Sequence, residues 1–165
     1  DDYGLSKYMM SRLLEQSANL YNLRLFGIFG QYENYNYRFI SNVICKALLE
    51  RDIVIHQNVL FDYLYIKDFC NILQWFIEHE PKWKYYNVCT GKKTDIISIA
   101  KEVLIQTKSK SVLKVEKTGW NNEYTGSNTS MLQEMGTVSF TPMKQAVSEM
   151  IEYYKNISFH LEGDY

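Results

Sequence analysis

The chain has 165 residues, of which 46% are hydrophobic and 15% aromatic, and a formal net charge of −1. This length suits about one domain, and the apolar content excludes intrinsic disorder as the main state. A charge so close to zero argues against binding nucleic acid by phosphate neutralisation. The three cysteines, spaced 25 and 19 residues apart, match no zinc pattern and cannot form a closed set of disulfides. We therefore expect no metal, no membrane span and a reducing cytoplasmic location.

Helices and strands are predicted to alternate along the first half of the chain. Apolar residues at helical spacing alternate with short runs rich in β-branched and aromatic residues. Asp68 is predicted to cap a helix, because a carboxylate suits the unpaired N–H groups at a helix start. In chain order the predicted elements are helix 5–16, buried strand 20–29, helix 39–48, strands 53–55 and 59–66, helix 68–77 and strand 85–89.

The second half continues the pattern and contains one long polar segment. Thr94 is predicted to cap a helix that continues to Leu104, and residues 112–115 form a short strand. A polar loop covers 119–129, a short helix over 131–135 ends at Gly136, and Thr141-Pro142 begins the last helix. Strands that alternate with helices predict an α/β architecture containing pieces of a parallel sheet.

Tyr3 and Lys7 form the most informative pair of polar residues. At positions i and i+4 of a helix, both side chains project from one face. A nearby ammonium favours the ionised form of a phenol, which can then exchange protons with a hydroxyl group. The same spacing occurs at Tyr63 and Lys67, so it is weak evidence alone. The alternative is a tyrosine at a helix start beside a solvated lysine.

Five motifs in order raise the significance of this pair. They are Tyr-Gly-Leu-Ser-Lys at 3–7, Leu-Arg-Leu-Phe-Gly-Ile-Phe-Gly at 23–30, Phe-Asp-Tyr-Leu-Tyr-Ile-Lys-Asp at 61–68, Tyr-Asn-Val-Cys-Thr-Gly at 86–91, and Gly136 followed by Thr141-Pro142. The series resembles the C-terminal half of an extended short-chain dehydrogenase/reductase. Within that class it is similar to the nucleotide-sugar epimerase/dehydratase family, over nearly the whole chain.

The resemblance implies a fold and a cofactor. Residues 1–29 and 66–90 would be the remnants of a Rossmann-like NAD(P)-binding domain, and 30–65 with 91–165 a small α/β domain that binds the sugar nucleotide. The Gly-rich half that holds the cofactor pyrophosphate is absent from the sequence, so the chain alone is expected to be inactive. The implied cofactor is NAD or NADP, and the implied assembly is a homodimer.

The resemblance also implies roles for individual residues. Tyr3 would exchange a proton with a sugar hydroxyl, and Lys7 would hold the nicotinamide ribose. Phe26, Gly27 and Ile28 would lie beside the nicotinamide. Hydride would pass between the cofactor and a carbon atom of a nucleotide-diphosphate sugar. The expected substrate contacts are Arg38, Asn42, Tyr124 and Asn128.

Three positions depart from the family pattern. Gln31 replaces a proline, Gly27 replaces an asparagine that often contacts the sugar, and Phe61 replaces an arginine that often binds the diphosphate. These departures leave two alternatives open. One is a binding or regulatory module that keeps the fold without catalysis, and the other is a structural fragment that mediates oligomerisation.

Overall fold

The computed structural model describes residues 1–17 and 19–161. Local sequence signals explain where several helices begin or end. The first begins after Asp1, whose carboxylate accepts a hydrogen bond from the Gly4 N–H, and the fifth ends at Gly136, where φ is +74°. The helices are α1 (Asp2–Glu15), α2 (Phe39–Leu48), α3 (Ile66–Glu78), α4 (Ile96–Thr107), α5 (Thr129–Met135) and α6 (Met143–Lys155).

The described strands form four two-stranded sheets. They are β1 (Asn22–Leu25), β2 (Gly27–Phe29), β3 (Ile53–Asn58), β4 (Leu60–Phe61), β5 (Tyr63–Tyr65), β6 (Tyr85–Val88), β7 (Thr94–Asp95) and β8 (Leu113–Trp120). The pairs β1–β6, β2–β5 and β3–β8 are parallel, whereas β4–β7 is antiparallel. Parallel pairs separated along the chain by helices confirm the predicted α/β architecture.

The predicted strand over 20–29 is interrupted at Phe26, because the chain changes partner there. Leu25 is paired with Val88 of β6, and Gly27 is already paired with Tyr63 of β5. Phe26 therefore lies between two parallel pairs. β1 is also less buried than predicted, since Leu25 is 41% exposed.

Two hydrophobic clusters hold these elements together. The larger contains the buried faces of α2, α4 and α6 with the inward side chains of β3, including Ile44, Val103 and Val147. The smaller joins α3 to β6 through Ile72 and Val88, and Met131 of α5 completes it. Tyr65 and Leu64 are neighbours on β5 that contribute to different clusters, so this strand links the two.

The helix caps of the structure differ from those predicted from the sequence. Asp68 lies in the first turn of α3 and accepts hydrogen bonds from the N–H and hydroxyl of Thr141. Thr94 belongs to β7, and Asp95 caps α4 by accepting from the Ser98 N–H. Asp68 thus binds a residue distant in sequence instead of capping its own helix, and Asp95 takes the capping position predicted for Thr94.

Several element boundaries also differ from the prediction. The predicted strand over 59–66 divides into β4 and β5, and Ile66 already begins α3. β8 continues to Trp120, beyond the predicted 112–115, because β3 offers a parallel partner as far as Asn58, which pairs with Trp120 after a register shift. Pro142 stands at the N-cap of α6 rather than in its first turn.

Candidate active site

A cavity of about 1310 Å³ lies between α1 and the segment formed by β1 and β2. Its walls come from elements distant in sequence. α1 contributes Tyr3 and Lys7, the strand segment contributes Phe26 and Ile28, and the far wall includes Tyr124. The cavity therefore lies beside Phe26, where the chain changes its pairing partner from β6 to β5.

Tyr3 and Lys7 project together into this cavity. The Lys7 Nζ atom lies 5.3 Å from the centroid of the Tyr3 ring, a cation–π distance. α1 presents both side chains to the same side because they are one turn apart. The Tyr3 side chain is 71% exposed, so its hydroxyl is accessible to a ligand.

The segment at 26–28 reaches the same cavity and has little freedom in its middle. Phe26 and Ile28 line the cavity with their side chains. A Cβ atom at Gly27 would lie 2.9 Å from the carbonyl oxygen of Asp62 and 3.0 Å from the ring of Tyr63. This crowding gives a packing reason for glycine where the family pattern often has asparagine.

The four predicted substrate contacts separate into two groups. Arg38 and Tyr124 line the cavity. Asn42 instead donates to the carbonyl oxygens of Tyr35 and Asn36, and thereby fixes the loop before α2. Asn128 is buried and donates to the carbonyl oxygen of Cys89. The structure thus gives Asn42 and Asn128 internal partners.

Glu33 is a cavity residue that the sequence analysis did not identify. Its carboxylate accepts a hydrogen bond from the Ser41 hydroxyl on α2. Burial raises its pKa, and hydrogen bonds from Ser41 together with the charge of Arg38 oppose that rise. The available signal was a single carboxylate in a polar and aromatic loop between two buried elements. The carboxylate ties the start of α2 to the loop that follows β2.

Asp62 is a buried residue that stabilises the backbone next to the cavity. It is fully buried, and its carboxylate accepts hydrogen bonds from the Thr90 N–H, the Thr90 hydroxyl and the Gly91 N–H. The Asp62 carbonyl oxygen also accepts from the Gly27 N–H. A single residue thus connects the turn after β6 to the strand segment that lines the cavity.

Comparison with known proteins identifies the family. Residues 1–89, more than half of the chain, match the model of the NAD dependent epimerase/dehydratase family. The chain belongs to this family. A curated relative, the ADP-L-glycero-D-manno-heptose-6-epimerase of Brachyspira hyodysenteriae, is 27% identical over 123 residues, which are 67% of this chain and 39% of that protein.

Solved structures confirm the Rossmann-like α/β fold. The UDP-glucose 4-epimerase of Thermotoga maritima, solved with UDP-glucose, has a TM-score of 0.80 at 18% identity, over 93% of this chain and 53% of that chain. A GDP-L-fucose synthetase of Naegleria fowleri bound to NADP has the same TM-score, identity and coverage. The chain therefore spans about half the length of these structures and 39% of the curated relative.

The cavity fits one end of the family's cofactor. Tyr3 and Lys7 offer a hydroxyl and an ammonium, and the strand segment beside them offers the apolar surface of Phe26 and Ile28 to a flat ring.

Within residues 1–17 and 19–161, no group of three or more His, Cys, Asp or Glu could hold a metal ion. In the same part of the chain, no helix has the length and apolar character needed to cross a membrane.

Proposed function

We propose that this chain is the C-terminal part of an NAD(P)-dependent nucleotide-sugar epimerase, dehydratase or reductase in which Tyr3 and Lys7 serve proton transfer. The observation that carries the proposal is the convergence of both side chains and the 26–28 segment on one cavity. Membership of the NAD dependent epimerase/dehydratase family supports it independently.

In this proposal the residues that line the cavity have different chemical roles. The Tyr3 phenolate takes a proton from a sugar hydroxyl, and the resulting phenol returns it in the reverse step, so Tyr3 acts as a general acid–base. The Lys7 ammonium stabilises negative charge on the phenol oxygen and donates hydrogen bonds to a ribose. Phe26 and Ile28 would hold the nicotinamide, which when bound would accept or donate the hydride. Phe26 and Ile28 hold a flat ring against the strand segment and exclude water from one of its faces.

We also propose the division of labour between the two parts of the chain. Residues 1–29 and 66–90 belong to the cofactor side, and 30–65 with 91–165 to the sugar-nucleotide side. Arg38 and Tyr124 approach the cavity from the second part, which supports their assignment as substrate contacts. The two parts are in contact, because Met131 of the second packs in one cluster with Val88 of the first.

The test is the turnover of the full-length protein with nucleotide sugars and either NAD or NADP. Tyr3→Phe should lower turnover by roughly 100-fold or more, which is the usual contribution of a general acid–base group. Tyr37→Phe removes an exposed phenol outside the cavity and is the matched control. Unchanged turnover in Tyr3→Phe, with a normal circular dichroism spectrum, would refute the role of Tyr3.

A binding module without catalysis is the second candidate. The observation that favours it is Phe61, which lines the cavity and replaces the arginine expected there from the family pattern. Such a module would bind a nucleotide sugar without consuming cofactor. Turnover by the full-length protein with any nucleotide sugar would exclude this candidate.

We further propose that the protein is a homodimer whose subunits meet at α1. The helix has no buried residue, and Leu5, Met9 and Leu13 are 57%, 56% and 61% exposed. Apolar surface of this kind is often covered by another chain. Light scattering at tens of micromolar should give twice the monomer mass, and Met9→Glu should restore the monomer. A monomer mass for the unsubstituted chain would refute the proposed dimer.

A further inference from the structure

Three aromatic side chains form a continuous surface on one side of the cavity. The ring of Tyr124 lies between those of Phe26 and Phe61, with centroids 5.4 Å and 5.8 Å away and interplanar angles of 48° and 54°. All three residues line the cavity. We call them the aromatic wall.

The backbone holds the aromatic wall in place. The Tyr124 N–H donates to the Leu60 carbonyl oxygen, and the Tyr124 carbonyl oxygen accepts from the Asp62 N–H, 2.9 Å and 3.1 Å away. These bonds place Tyr124 beside Phe61 as a parallel bridge. Since these main-chain bonds fix the backbone positions from which the Tyr124 and Phe61 rings project, a ligand that stacks on the rings loses less entropy in ordering them.

Packing behind the rings adds to this order. Phe61 is stacked on Tyr63 at 5.2 Å with an interplanar angle of 30°. Phe26 lies directly over Gly126, where a Cβ atom would come within 2.4 Å of its ring. Gly126 is thus the residue that permits Phe26 to take its position. Tyr124 remains 49% exposed, so the wall keeps an open face toward the cavity.

The cations that line the cavity each have another protein group as a neighbour. Among the described residues, the cationic side chains that line it are Lys7, Arg24 and Arg38. Lys7 lies over the Tyr3 ring, Arg24 lies over the Tyr85 ring at 5.1 Å, and the charge of Arg38 acts on Glu33. The wall itself carries no formal charge, so it offers stacking surface and no phosphate ligand.

We infer that the aromatic wall, through Tyr124 and Phe61, is a subsite for an uncharged ring attached to the reacting sugar, with Phe26 between this subsite and the nicotinamide. The idea of a reacting sugar rests on the proposed function, but the binding of a ring by the wall does not. Faces of sugar rings and of nucleobases both stack on aromatic side chains. The wall therefore favours a substrate held by ring stacking over one held by its diphosphate.

The experiment measures binding of three probes to the 165-residue chain by NMR chemical-shift titration. The probes are uridine, phenyl β-D-glucopyranoside and UDP, each at low and at high salt. At least one ring probe should bind through the wall, and the tighter of the two identifies the base or the glycoside as its ligand. UDP should bind within about threefold of uridine, with little salt dependence, since stacking is not screened by ions.

Substitutions at position 61 test whether stacking on Phe61 is the cause of ring binding. Phe61→Leu keeps an apolar side chain and should weaken the binding of the ring probe about fivefold or more, the scale of one lost stacking contact. Phe61→Arg should make UDP the tightest probe and make its binding sensitive to salt. Trp120→Leu removes an exposed ring outside the cavity and should change nothing.

Three results would overturn the inference. They are failure of both ring probes to bind, equal binding of the ring probe by Phe61→Leu, and a UDP affinity more than about tenfold above that of uridine in the unsubstituted chain. Because these titrations involve neither cofactor nor turnover, they are independent of the Tyr3→Phe test of the proposed function.

Discussion

Helices α1 and α2 have similar sequence patterns and different surroundings. Both carry apolar residues at helical spacing, and both form helices where these patterns predicted them. α2 buries six of its ten residues, five of them in the larger cluster, whereas none of the residues of α1 is buried. The apolar stripe of α1 is more than half exposed at Leu5, Met9 and Leu13.

This difference separates the formation of a helix from its burial. α1 is supported by local interactions, including the Asp1 cap and the Arg12–Glu15 ion pair of 2.6 Å. Such contacts contribute only tenths of a kcal/mol to about 1 kcal/mol each. α2 has no side-chain cap and is instead stabilised by packing. Periodicity therefore predicts a helix, and tertiary contacts decide what covers it.

Truncation of one apolar side chain in each helix should give the largest contrast. Ile44→Ala in α2 removes a fully buried side chain and should lower the free energy of unfolding by about 3 kcal/mol. Leu13→Ala in α1 should change it by less than about 0.5 kcal/mol, because the side chain is 61% exposed. Urea denaturation measures both.

The two variants should also respond differently to protein concentration. If α1 forms the proposed dimer interface, the loss in Leu13→Ala should grow as protein concentration rises, since association contributes to apparent stability. The loss in Ile44→Ala should persist at every concentration. Equal losses in the two variants under dilute conditions would contradict the contrast between the helices.

A second contrast lies between a buried carboxylate and an exposed one. Asp62→Ala leaves the N–H groups of Thr90 and Gly91 without their acceptor and should cost about 2 kcal/mol of unfolding free energy. Glu152→Ala removes an exposed ion pair with Lys155 and should cost less than about 0.5 kcal/mol. Thermal denaturation of both variants tests the ranking, and a cost for Glu152→Ala equal to that for Asp62→Ala would refute it.

Elements with a strong local signal could be predicted from the sequence. The apolar stripes of α2, α4 and α6 determine their helical phase, and Gly136 marks the end of α5 through its positive φ. Most short strands were located but not correctly bounded, and β7 was not predicted. The interruption at Phe26 depends on which strand pairs with each half of the segment, and this information lies in β5 and β6.

Side-chain partners were the least predictable part of the site. The i, i+4 spacing was sufficient to bring Tyr3 and Lys7 together, because one helix determines their separation. Asn42 and Asn128 were expected at the substrate, yet each finds a backbone carbonyl as its partner. Glu33 gave no motif, because its neighbour Ser41 lies on the next helix. Contacts across elements require the fold, which sequence spacing does not provide.

The smallest expected effect concerns Glu33, at the boundary between the cavity and the α2 core. Burial raises the pKa of this carboxyl in the folded chain above its unfolded value. Between those two values the folded state holds a proton that the unfolded state has released. Stability from this group is therefore fully present below the unfolded pKa and is lost as pH rises through the folded pKa.

Glu33→Gln isolates this contribution, because glutamine does not titrate and its carbonyl oxygen can still accept from the Ser41 hydroxyl. We expect the unfolding free energy of the original chain, relative to the variant, to increase as pH falls from 7 to 4. Urea denaturation across this range measures the difference. Ser41→Ala is the matched control, since it removes the hydrogen bond and leaves the carboxyl in place. The unfolding free energies of the Gln variant and the original chain should therefore not differ by a constant amount across this pH range. A constant difference would show that Glu33 is solvated, and that α2 begins without a buried charge.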